Sequence, residues 1–89
     1  MMNNVILVGR IISFEGDEVI ISVTRNYKNE DGIYMSDSIP VRLSANIGEK
    51  MKEFCKIGDV IGVKGRIENR GEVVVMAEKT TFVSPKKSE

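Results

Sequence analysis

The chain has 89 residues, 42% of them hydrophobic, which is enough for one core; a second domain would fall below the size at which domains usually fold alone. Thirteen Lys and Arg balance thirteen Asp and Glu, so no net field draws in nucleic acid or an anionic membrane, and a polyanion site has to be a local basic patch. One cysteine and no histidine exclude disulfide frameworks, zinc fingers and imidazole catalysis, so an enzyme is not expected and neither is a metal or cofactor.

Val5 to Ile12 is nearly all apolar and β-branched and reads as a first strand covered on both faces, with Gly9 hinting at a bulge. Glu15-Gly16-Asp17 is a tight turn. Val19, Ile21 and Val23 then alternate with Ile20, Ser22 and Thr24 as a half-buried second strand. Asn26 to Gly32 is a polar connection ending in the hairpin signal Asp31-Gly32. Ile39, Val41 and Leu43 mark a third strand, which Pro40 places at an edge or a bulge.

Asn46 is the expected N-cap of a short helix whose stripe is Ile47, Met51, Phe54 and Cys55, with Gly58 as its stop. Cys55 reads as a small packed hydrophobe. In the fourth strand Ile61, Val63 and Ile67 face in while Lys64, Arg66 and Glu68 face out. Asn69-Arg70-Gly71 turns into a fifth strand from Glu72 to Val83, and Pro85 to Glu89 is a short tail. The fold class is therefore all-β, a five-stranded OB barrel with one short helix between strands three and four, formed by residues 1–84.

Three segments in this order carry a family resemblance. Asn3 to Ile11 is similar to the opening strand of the bacterial single-stranded DNA-binding proteins. Val23 to Asn29 resembles their second strand and the start of its loop, and Lys56 to Ile67 their helix exit and fourth strand. The family stacks bases on rings at three main strand positions, which the resemblance places at Tyr27, Ser38 and Ser44; only Tyr27 is a ring. Stacking is worth ~1–3 kcal/mol per base, so two lost rings matter. Tyr34 and Phe14 are candidate substitutes. The loop after the first strand is shorter than in the family, and Ser84 to Glu89 lacks the family's acidic, hydrophobic recruitment tip. The small primosomal replication proteins, also tipless and more reliant on basic side chains, are a nearer type.

Outward parity supplies an argument that does not depend on resemblance. Arg10, Arg42, Lys64 and Arg66 all alternate with core residues and can line a groove that follows a phosphate backbone, with Lys28 and Arg70 extending it from the loops. Pairing with Glu68, Glu72 or Asp37 is the structural alternative for each. Tyr27 has inward parity unless a bulge follows Arg25. On the first strand Asn4, Ile6, Val8 and Ile12 form the face that a barrel this small leaves uncovered, which points to a homodimer interface and leaves a tetramer open.

These features imply a non-enzymatic protein that binds single-stranded DNA with low sequence preference in replication, recombination or repair. RNA stays open as a partner, because stacking and phosphate contacts are shared. An OB module that has lost DNA and serves oligomerisation or protein docking is the alternative. With no signal peptide or run of ~20 apolar residues, the expected location is the cytoplasm, without a membrane partner.

Overall fold

The computed structural model describes residues 1–83, so the expected tail and the end of the domain at Ser84 lie outside the described residues. The elements run β1 (Val5–Glu15), β2 (Glu18–Lys28), β3 (Tyr34–Arg42), α1 (Ala45–Phe54), β4 (Val60–Asn69) and β5 (Val73–Phe82). They close into a barrel of order β1-β2-β3-β5-β4, in which β3 and β5 are parallel and every other pair antiparallel. This is the OB arrangement that the sequence predicts.

Alternation fills the barrel. Ile11, Val19, Ile21, Val41, Ile61 and Val63 are buried, and Met51 and Cys55 of α1 and its C-cap join the same cluster. Each fully buried aliphatic side chain stabilises the fold by about 1.5–3 kcal/mol. Burial pushes the Cys55 thiol up, with a smaller contribution from Asp59, so it behaves as a packed hydrophobe.

Several boundaries differ from the sequence expectation. β1 runs on to Glu15, and its register breaks against β2 between Ile11 and Ser13, three residues beyond Gly9. Gly9 is needed for close approach instead: a Cβ there would lie 2.6 Å from the Ser22 carbonyl oxygen. The turn shrinks to Gly16-Asp17, with φ of 64° at Gly16 as a type II′ turn requires at its first central position.

The N-cap of α1 is Ser44, not Asn46. Its extended backbone lets Oγ accept from the Ile47 N–H at 3.3 Å, whereas Asn46 is already inside the helix. The helix ends at the Cys55 cap, and Gly58, at φ 103°, turns the chain into β4. Phe54 does not share the buried stripe. As the last residue of the helix it is exposed, with its ring centroid 6.3 Å from that of Phe82.

Two hairpins outrun the barrel at the end where β1 begins. β2 and β3 continue as an arm with a register break between Thr24 and Lys28, so the polar connection shortens and both Lys28 and Tyr34 are strand residues. Asn29 Oδ1 accepts from the N–H groups of Asp31 and Ile33 at 2.9 and 3.0 Å and fixes the turn. In the β4–β5 hairpin Ile67 keeps inward parity, yet it is 43% exposed because no core lies beneath it. The Asn3 amide meets both backbone groups of Ile67 and ties the chain start to this hairpin. Pro40 sits just upstream of the β3–β5 pairing seen among the described residues, Val41 with Val75 and Arg42 with Met76, so its missing N–H costs no bond to β5.

Candidate nucleic-acid interface

Strand register decides which cations share a face, since opposed residues have Cβ atoms ~5 Å apart and point the same way. Arg42 of β3 lies opposite Met76 of β5, and Met76 lies opposite Arg66 of β4. The two arginines therefore project from one outward row, their Cα atoms about 10 Å apart by strand spacing. Lys64 is two residues before Arg66 on the same face, opposite Lys79 of β5. Arg70, in the β4–β5 turn, reaches back to Glu68. Together these side chains make a basic band across β3, β5 and β4.

The arginines of the band carry carboxylate partners. Arg42 Nε donates to Glu18 at 3.3 Å, Arg66 donates to Glu68 and, at 3.0 Å, to Glu78, and Arg70 Nε donates to Glu68 at 2.8 Å. All of these groups are partly exposed, and pairs of this kind are worth only ~0–1 kcal/mol. Hydrogen bonds from Arg70 and then Arg66 hold the Glu68 carboxyl below the usual carboxylate range. Lys64 and Lys79 have no ion pair among the described residues.

The remaining candidates are placed apart from the band. Arg10 is on β1, opposite Val60 at the start of β4 rather than beside Lys64, and its Nη1 donates to the Gly58 carbonyl at 2.6 Å. It ends a row of hydroxyls, because Ser38 opposes Ser22 and Ser22 opposes Arg10. A shallow cleft lined by Val8, Gly9, Arg10, Ser22, Thr24 and Val60 opens there. Ser38 offers no ring, and the Ser44 hydroxyl is committed to capping α1.

Tyr27, Lys28 and Tyr34 gather on the β2–β3 arm. Tyr27 is 60% exposed within the register break between Thr24 and Lys28, and Lys28 Nζ sits 5.7 Å from the centroid of the Tyr34 ring, which is also exposed. Phe14 is half-buried against the core and offers no platform.

Two cations escaped sequence reasoning. Lys79 was hidden because the register of β5 shifts between its pairings with Lys64 and Gly65, leaving Glu78 unpaired. Arg25 has inward parity, but the arm has left the core at that point. Its guanidinium takes Asp37 in two bonds of 3.0 and 2.8 Å, which raise the arginine and lower the Asp37 carboxyl. Among the described residues no group of three or more Cys, Asp or Glu side chains is placed to hold a metal ion.

Fold and site together define a class, a small OB barrel with a basic strand face and an aromatic arm. No family model matches the chain. In sequence it is similar to bacterial single-stranded DNA-binding proteins. Single-stranded DNA-binding protein 1 of Streptococcus pyogenes is 31% identical over 79% of this chain and 62% of its own length. Single-stranded DNA-binding protein B of Bacillus subtilis is 28% identical over all of this chain and 96% of its own. The chain spans 49% of the Streptococcus mutans single-stranded DNA-binding protein, at 30% identity.

Solved structures share the fold at low identity. The small single-stranded DNA-binding protein of Streptomyces coelicolor superposes with a TM-score of 0.69 at 16% identity, covering 93% of this chain and 95% of that one. PriB from Ralstonia solanacearum gives 0.70 at 12%, covering 93% and 100%.

Proposed function

We propose that this protein binds single-stranded DNA with low sequence preference and serves replication, recombination or repair. The carrying observation is the outward row that brings Arg42, Arg66 and Lys64 together across β3, β5 and β4, with Lys79 alongside. A positive band follows a phosphate backbone whatever the bases, and Tyr27 and Tyr34 on the arm supply ring faces that any base can stack on. The names of the sequence relatives support the same reading. Arg10 and Lys28 extend the contact surface on β1 and on the arm, and Arg70 extends it at the tip of the β4–β5 hairpin. No catalytic role is assigned to any residue.

The proposed working form is a homodimer in the cytoplasm. Upstream of Gly9, which packs closely against β2, β1 pairs only with β4 among the described residues, so its other edge from Val5 to Val8 is open. Asn4, just before that strand, and Ile6, Val8 and Ile12 on it are all exposed, Ile6 to 75%. An open edge beside an apolar face is a surface that a second copy can cover. No helix of the described residues is long and apolar enough to cross a membrane.

Titration of fluorescent oligo-dT from ~50 to 300 mM salt tests the DNA reading, with oligo-U as the RNA arm. Binding that weakens linearly in log salt is expected. Lys64→Ala should weaken binding to all sequences alike and flatten the slope by about 0.7. Absence of binding at ~50 mM salt overturns the proposal and selects the docking-module reading, which the carboxylate-paired arginines and Ser38 favour.

A further inference from the structure

Glu68 is placed unlike the other carboxylates of the basic band. It sits between Arg66 and Arg70, accepting from the first at Oε2 and from the second at Oε1. Its side chain is 28% exposed, less than either of the two arginines it binds, at 39% and 51%. A carboxylate and a phosphate offer a guanidinium the same planar pair of acceptor oxygens and compete for the same donors. An arginine held by Glu68 has donors turned to protein that would otherwise face a strand.

We propose that Glu68 is an internal competitor, a stand-in for phosphate that sets how strongly the β4–β5 hairpin holds single-stranded DNA. This rests on the single-stranded DNA reading and deepens it. Binding then exchanges carboxylate for phosphate at Arg66 and Arg70. The condensed cations sit on the DNA, and an arginine that leaves Glu68 for a phosphate bares a carboxylate beside the strand. The local negative charge is retained, and the net release of cations, hence the salt dependence, is smaller than the number of nearby arginines suggests. Arg66 retains Glu78 when Glu68 is removed, so Arg70 is the cation released most fully. Lys64 and Lys79 lack such partners among the described residues and mark where contact starts.

The test compares wild type, Glu68→Gln and Glu72→Gln by oligo-dT titration across salt. Glu72 is on the same hairpin and its loss changes net charge equally, but it makes no ion pair among the described residues. Glu68→Gln is expected to bind several-fold tighter at ~50 mM salt, with a log–log slope steeper by about 0.7 for each arginine released. Glu72→Gln should give a smaller gain and leave the slope as in wild type. In an Arg70→Gln background the gain from Glu68→Gln should shrink, which separates release of that arginine from any change in folding. Equal effects of the two glutamines, or unchanged or weaker binding by Glu68→Gln, overturn the competitor role while leaving the DNA reading intact. Failure of the wild type to bind overturns that reading itself, and this inference with it.

Discussion

Gly65 illustrates how a single residue governs the barrel. It is buried on β4 where β5 shifts register, and a Cβ there would run into the backbone carbonyl of Met76. Gly65→Ala should therefore cost at least about 2 kcal/mol, because a backbone atom and not a flexible side chain has to yield. Gly48, inside α1, is the contrast: a Cβ meets only Leu43 side-chain atoms at 3.8 and 3.9 Å. Gly48→Ala should stabilise by roughly 0.5–1 kcal/mol through helix propensity. Urea unfolding of both variants checks the pair. The importance of Gly65 was not legible in the sequence, where it looked like any strand glycine between two cations. Its neighbour Met76 is eleven residues away, and only the register of β5 brings them together.

At the scale of elements, hydrophobic alternation made the strands legible, while end signals made the first three too short and the fifth, expected from Glu72 to Val83, one residue too long at each end. Val19, Ile21, Ile61 and Val63 announced their burial by period alone. Tyr27, Lys28 and Tyr34 did not announce a strand, because an arm projecting beyond the core has no buried face to imprint an alternation. The helix was legible as an element while its cap was not. Ser44 and Asn46 are both good capping residues, and the choice depends on the extended conformation of Ser44, which follows directly from β3. Ser44→Ala should cost about 1 kcal/mol in thermal or urea unfolding, and Asn46→Ala much less. The same uncertainty reached the site: outward parity found Arg42, Lys64 and Arg66, but it could not reveal that Arg42 and Arg66 share a row through Met76.

For the whole molecule, the unpaired edge and exposed apolar face of β1 are the features that the single chain leaves open. Val8 is 54% exposed and lies opposite Gly62, away from the core cluster. Val8→Asp should keep the far-UV circular dichroism of the folded barrel while moving sedimentation from dimer to monomer. A wild type that sediments as a monomer throughout would refute the proposed interface. The proposed dimer face was legible only as an excess of apolar residues on one strand, since a barrel of this size has one interior to fill.

Among the described residues the barrel is closed by just two residue pairs between β3 and β5, against nine between β4 and β5. This seam is where the cylinder unzips at least cost, and Arg42 and Arg66 stand on its two sides. A polyanion gripping both would act as a staple across the gap, so the ligand would hold the barrel shut while the barrel holds the ligand. Melting temperature and amide protection at Val41 and Val75 would then rise with ligand concentration in step with occupancy.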